Sequence, residues 1–143
     1  MPMSQIKEGG VLVVPGGIGT RKLVRDNIFL QALKDMVAIS KYCLSICTGS
    51  ALLAKADVLN DKKATSNKRA LEWVMSNSSD VLWQKKARWV VDGKFYTASG
   101  VSAGIDMALG FIGDLYGIET ARQIAHDIEY IWQENKEQDF FAL

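Results

Sequence analysis

An α/β fold, a three-layer sandwich around a mostly parallel sheet, is predicted for this chain from three observations. Val11-Leu-Val-Val14 is a short β-branched run stopped by Pro15-Gly16-Gly17, as a buried parallel strand would be. Tyr42-Cys-Leu-Ser-Ile-Cys47 is a second such run, and it passes directly into small residues. Apolar residues at helical spacing fill the sequence around both runs, so strands alternate with helices.

The bulk properties narrow the classes of protein further. A length of 143 residues suits one domain, spanning 1–143 with a polar tail from about Asn135. Hydrophobic residues make up 48% and charged residues 23%, which excludes disorder over most of the chain. Seventeen Lys and Arg against sixteen Asp and Glu leave a formal charge of +1. That balance offers no attraction for nucleic acid or a membrane surface, so neither is expected as a partner. Lys85, Lys86 and Arg88 read as a solvated face. No run reaches the ~18 apolar residues of a membrane span, and the first ten residues lack the regions of a signal peptide.

Two cysteines make no disulfide framework. On one extended segment, Cys43 and Cys47 lie roughly 13 Å apart, too far for a bridge. A reducing cytoplasm is the expected compartment. With one histidine and two cysteines the chain lacks a zinc ligand set, and no metal or cofactor is expected.

Further elements follow in order. Phe29, Leu33 and Met36 mark a helix that Asp26 can cap. Gly49 to Ala56 is a helix of small residues suited to tight packing on the sheet, and Asn60-Asp61 is a turn. Ala64-Thr65 forms a short strand, and Lys68 to Met75 a helix with Ala70, Leu71, Val74 and Met75 inward. Asp92-Gly93, between Trp89-Val-Val91 and Phe95-Tyr-Thr97, is the strongest hairpin signal. Val101 to Leu115 is apolar on almost every side and reads as a buried helix capped by Ser99 or Ser102. A last helix aligns Ile118, Ala121, Ile124, Ala125, Ile128, Ile131 and Trp132, and the chain ends Phe140-Phe-Ala-Leu143.

Chemistry concentrates at Ser45-Ile-Cys47-Thr-Gly49. A cysteine stands where a strand runs into a helix, with small residues two before and two after it. That is the nucleophile-elbow pattern with sulfur in place of oxygen. The turn lifts the side chain above the carboxyl edge of the sheet, and the helix N-terminus favours a thiolate. The other reading of Cys47 is a small buried hydrophobe. Gly16 and Gly17 after the first strand let backbone N–H groups approach a ligand or oxyanion, or make only a tight turn. Thr20-Arg21-Lys22 after Gly19 fits neither a P-loop nor a dinucleotide fingerprint.

Four segments in this order and spacing resemble the ThiJ/PfpI family: Val-Val-Pro-Gly-Gly, Ser-Ile-Cys-Thr-Gly-Ser-Ala-Leu-Leu-Ala, Lys-Ala-Thr-Ser-Asn, and Thr-Ala-Ser-Gly-Val-Ser-Ala-Gly-Ile-Asp-Met-Ala-Leu. The resemblance implies a flavodoxin-like, class I glutamine amidotransferase-like fold. It covers deglycases, intracellular proteases or amidases, isocyanide hydratases and the sensor half of some AraC-type regulators. It implies Cys47 as nucleophile, with an oxyanion hole from the N–H of Thr48 and of Gly16 or Gly17. It places the Thr48 hydroxyl beside the thiol, as in the hydratase branch, and implies a homodimer acting on a small molecule. Hydration or hydrolysis of a small electrophile follows; a ligand- or redox-sensing domain, or a protease-type member, is the alternative.

The sequence departs from that family in three places. Thr48 stands where proteases of the family carry histidine, and Asn67 stands where many members carry another. Asn67 can bind substrate or cap the following helix. His126 falls on the polar face of the last helix, and Asp106 reads as a first-turn helix partner of the macrodipole. Only ten residues precede Val11, too few for the family's leading strand–helix–strand unit of roughly 30 residues. The chain is therefore expected to be N-terminally truncated and to lack the carboxylate that assists the cysteine. Glu8 is the one acidic residue there, and its context does not match.

Overall fold

The computed structural model of the chain describes residue 6 and residues 8–142. Residues 1–5 and 7, part of the stretch expected to lack the family's carboxylate, and Leu143 of the apolar ending lie outside the described residues. Along the chain come β1 (Gly9–Val14), α1 (Thr20–Leu23), α2 (Asn27–Ile39), β2 (Ser40–Ile46) and α3 (Gly49–Lys55). Then follow β3 (Lys63–Ala64), a 3-10 turn (Lys68–Ala70), α4 (Leu71–Met75), β4 (Leu82–Trp83), β5 (Trp89–Asp92), β6 (Phe95–Ala98), α5 (Val101–Tyr116) and α6 (Ile118–Asp127).

The main sheet has the order β1-β2-β6-β5, and β3 pairs with β4 in a small parallel sheet. β1 and β2 are parallel, with Val14 opposite Ser45, and α2 is their crossover. The Asp26 carboxylate starts α2 by accepting the Phe29 N–H at 3.0 Å. Leu30, Leu33, Met36 and Val37 form its buried stripe. β2 is also parallel to β6, with Ile46 opposite Ala98. The β5–β6 hairpin pairs Asp92 with Phe95, so the two loop residues are Gly93 and Lys94, one position later than the sequence suggests. Gly93 takes the positive φ of +59° that this turn needs.

Strand alternation splits the core between the two faces of the sheet. Cys43 packs with α2 and α3, while Tyr42, Leu44 and Ile46 pack with α5. Leu52, Leu53 and Leu59 are almost wholly buried on the α3 side. Burial of each such leucine contributes roughly 1.5–3 kcal/mol. On the other face Tyr42 and Tyr96 both meet Phe111 edge-on, with ring centroids 5.1 Å apart.

Several expectations need correction. β1 is an edge strand, not a buried one: Val11 and Val13 are about half exposed. Leu12 and Val14 meet the α2–α3 core, whereas α5 covers β2, β6 and β5 instead of the other face of β1. The helix expected over Lys68–Met75 is a 3-10 turn followed by α4, and β4 had no signal in the sequence. α5 has Gly100 at its N-cap without a side-chain cap, so neither Ser99 nor Ser102 serves there. Nor is α5 buried all round, since Val101, Ile105 and Leu115 are exposed. α6 ends at Asp127, and Glu129 turns the chain at φ +55°. Ile128 and Ile131 are therefore left exposed rather than continuing the stripe. The turn carries Trp132 back to α5, where its Nε1 donates to the Asp106 carbonyl at 3.0 Å.

Candidate functional site

Three parallel strands end side by side: Val14 runs into Pro15-Gly16-Gly17, Ile46 into Cys47, and Ala98 into Ser99. Open α/β sheets bind ligands beyond such a carboxyl edge. Cys47 sits at the join of β2 and α3 with φ +56° and is half-buried. For a residue with a Cβ this left-handed backbone costs about 1–3 kcal/mol and persists only where surroundings over-determine it. They do so here. The Cys47 N–H donates to the Ala98 carbonyl at 3.2 Å. Its carbonyl accepts the Ser66 hydroxyl at 2.8 Å and the Ser50 hydroxyl at 3.2 Å.

Glycines make the close packing possible. A β-carbon on Gly49 would lie 2.2 Å from the Val14 carbonyl oxygen. One on Gly16 would lie 2.7 Å from the Thr48 nitrogen. Only a bare α-carbon at Gly16 fits this close to the Thr48 nitrogen, whose N–H has no acceptor among the described residues. The Gly17 N–H, in contrast, donates to the Thr48 hydroxyl at 3.0 Å. The Thr20 hydroxyl donates to the Gly17 carbonyl at 2.8 Å and lies 3.1 Å from the Thr48 hydroxyl. The buried Thr48 hydroxyl, expected beside the thiol, is therefore held by the Gly17–Thr20 loop and fastens that loop to the elbow.

Asn67 follows Ser66, so it reaches the same edge. Its side-chain oxygen accepts the Ala70 N–H at 3.2 Å and caps the 3-10 turn. Its amide nitrogen lies near Gly100 at the start of α5. His126 is exposed on α6, with Nδ1 3.5 Å from Asp127 Oδ1, far along the chain from the elbow. Among the described residues no group of three His, Cys, Asp or Glu side chains is placed to hold a metal ion. Surface clefts at Trp89, Trp132 and Glu137, at Arg69, Met75 and Phe141, and at Ile18, Arg21 and Arg25 do not include Cys47.

Next to the site lies a group of charges that local pattern reading missed. Arg88 belongs to no solvated face: it is 5% exposed, and its Nε donates to Asp106 Oδ2 at 2.7 Å. Asp106 is wholly buried in the second turn of α5, and its Oδ1 also accepts the Gln133 N–H at 3.0 Å. It is therefore an ion-pair partner rather than a first-turn helix residue. Lys68 is held below the ordinary lysine range by burial, with Asp139 opposing that shift and Arg88 adding to it. Cys43 differs sharply from Cys47 in access. It is fully buried, and burial pushes its thiol up to about 12, with Lys94 opposing. Ser50, three residues after the elbow, and Ser66, inside the Lys-Ala-Thr-Ser-Asn segment, were visible in the sequence as small polar residues; their shared target was not.

Fold and site together define an α/β domain with a cysteine at a strained strand-to-helix turn. Residues 4–113 match the DJ-1/PfpI family, and the chain belongs to it. It is 35% identical over 122 residues to the isonitrile hydratase of Pseudomonas putida, covering 84% of this chain and 51% of that protein. It is 27% identical over 123 residues to the HTH-type transcriptional regulator CdhR of Pseudomonas aeruginosa, covering 86% of this chain and 36% of that one. Among solved structures, a ThiJ/PfpI family protein from Pseudomonas syringae superposes with a TM-score of 0.74 at 30% identity, over 92% of this chain and 54% of that chain. Drosophila melanogaster DJ-1beta, at 22% identity, shares the fold with a TM-score of 0.72, over 91% and 68% of the two chains. The chain thus spans about half the length of the hydratase it matches. Since one relative is a transcriptional regulator, the comparisons do not support the expectation of no nucleic-acid partner. No helix among the described residues is long and apolar enough to cross a membrane.

Proposed function

We propose that this chain carries cysteine-dependent hydratase chemistry on a small electrophilic carbon, with an isonitrile as the substrate class. The observation that carries it is Cys47 held at φ +56° on the carboxyl edge, beside a Thr48 N–H that has no acceptor among the described residues. The 35% identity to an isonitrile hydratase supports the substrate class. The Cys47 thiolate adds to the terminal carbon, and a proton from water reaches that carbon, giving a thioimidate. Water then adds to the same carbon and the thiolate leaves, so one isonitrile and one water become one N-substituted formamide. The Thr48 N–H stabilises negative charge that develops next to the sulfur. Gly16 lets its loop lie close against the Thr48 nitrogen, and the bond from the Gly17 N–H to the Thr48 hydroxyl fastens that loop to the elbow. Asn67, beside Gly100 at the same sheet edge, is the side chain offered for substrate contact.

Formamide production from an alkyl isonitrile, followed by mass spectrometry, tests the reading. Turnover should occur in the wild type and fall at least about a hundredfold in Cys47→Ser, as removal of a nucleophile does. Absent wild-type turnover, or turnover unchanged in Cys47→Ser, rejects it. The similarity to the regulator CdhR favours a second reading, a ligand- or redox-sensing domain. An inactive chain in which mild peroxide adds oxygen to Cys47 alone would select that reading.

A further inference from the structure

Adjoining Cys47, the fold buries four charged side chains that the chemistry above does not use: Lys68, Arg88, Asp106 and Asp139, none more than 7% exposed. Asp139 is the unusual member. It belongs to the irregular C-terminal segment, between exposed Gln138 and Phe140. Burial of a carboxylate costs several kcal/mol unless cations and hydrogen bonds compensate. Here Arg88 Nη1 lies 3.6 Å from its Oδ1 and Lys68 Nζ 3.9 Å from its Oδ2. The backbone joins in: the Asp139 N–H donates to the Lys86 carbonyl at 2.7 Å, and the Arg88 N–H to the Lys136 carbonyl at 2.7 Å.

Both residues whose cations hold Asp139 also bind neighbours of the elbow's partners. Lys68 Nζ donates to the Thr65 hydroxyl at 2.8 Å, and Thr65 precedes the Ser66 whose hydroxyl binds the Cys47 carbonyl. The Arg88 carbonyl accepts the Ser99 N–H at 2.9 Å, and Ser99 follows the Ala98 whose carbonyl accepts the Cys47 N–H. Each hydrogen bond that pins the Cys47 backbone from outside α3 is thus flanked by a contact of a residue that also holds Asp139. We propose that residues 136–139 form a latch and that Asp139 is a positioning residue for Cys47. Engaged, it holds Ser66 and Ala98 against the strained elbow; released, it lets the segment around Ser66 move away and uncovers the thiol. This rests on reading Cys47 as the reactive group, but thiol alkylation reports on it without requiring hydratase turnover.

The test is the rate of iodoacetamide alkylation at each cysteine, located by peptide mass spectrometry in the 143-residue chain. Buried Cys43 reports unfolding as a whole. In Asp139→Asn, Cys47 should react about tenfold faster while Cys43 stays protected, as a selective local opening requires. Asp139→Glu, which keeps the charge, should return Cys47 to near the wild-type rate. An unchanged or slower Cys47, parallel acceleration at Cys43, or failure of Asp139→Glu to restore the rate overturns the proposal. Should Asp139→Asn not fold, hydrogen exchange of the wild type decides: the Asp139 and Cys47 amides should open together. An unprotected Asp139 amide beside a protected Cys47 amide overturns the latch.

Discussion

Gly16 and Cys47 touch across the carboxyl edge of the sheet so closely that a β-carbon on Gly16 would lie 2.9 Å from the Cys47 β-carbon. The same β-carbon would lie 2.8 Å from the Ile46 carbonyl oxygen. Both neighbours are backbone or fixed to it, so neither can rotate away. Gly16→Ala should destabilise the chain by about 1–3 kcal/mol, the usual cost of overpacking. Urea denaturation measures it, and a loss below about 0.5 kcal/mol would show that the loop and elbow separate freely.

The Thr48 hydroxyl makes a second prediction separable from the first. Thr48→Val keeps the shape of the side chain but removes the partner of the Gly17 N–H and the Thr20 hydroxyl. Leaving the Gly17 N–H unsatisfied should cost about 1–3 kcal/mol, while the Thr20 hydroxyl keeps its bond to the Gly17 carbonyl. Thr48→Ser keeps the hydroxyl and should cost less. Equal losses for the two variants in thermal or urea unfolding would assign the effect to packing of the methyl group instead.

Arg88→Met should be among the most damaging single changes on the β5 side. It leaves the wholly buried Asp106 carboxylate without its cation, a loss of about 3–5 kcal/mol. The double variant Arg88→Met with Asp106→Leu removes both charges and should recover much of that loss. A double variant as unstable as the sum of the single ones would mean that the pair is not coupled.

Stability should fall with rising pH through Cys43. Its thiol holds a proton up to about 12 when folded, against an ordinary value of 9.0. Above the ordinary value the unfolded chain loses that proton while the folded chain keeps it, so unfolding becomes easier. The contribution is complete below about pH 9 and is lost progressively toward pH 12, at about 1.4 kcal/mol per pH unit. Urea midpoints of wild type and Cys43→Ala between pH 8 and 10.5 should differ in slope, the variant being flatter. Parallel slopes would exclude Cys43 as the cause.

Much of the scaffold was readable from neighbours in the chain. The elbow at Ser45–Gly49, the cap at Asp26 and the hairpin at Gly93 each depend on residues within a few positions, so composition and spacing suffice to find them. The edge position of β1 was not readable. Val11 and Val13 look like core residues in sequence, and only strand order shows that α5 covers the far side of the sheet. The end of α6 was hidden for a similar reason. Its apolar stripe continues in sequence to Trp132, but the bond from Trp132 to Asp106 on α5 turns the chain first.

Cys47 shows where the two kinds of information divide. The sequence by itself determined that a cysteine stands at a strand–helix join between small residues, because tight turns impose their demands locally. It also determined that no histidine follows that cysteine, since Thr48 is there. Only the tertiary structure decided what holds the turn. Ser66 and Ala98 bind Cys47 from 19 and 51 positions away in the chain, and Arg88, Asp106 and Asp139 stand behind them. Hydrogen bonds and ion pairs of that span leave no periodic trace in sequence, because each depends on strand order and helix packing that many residues set together.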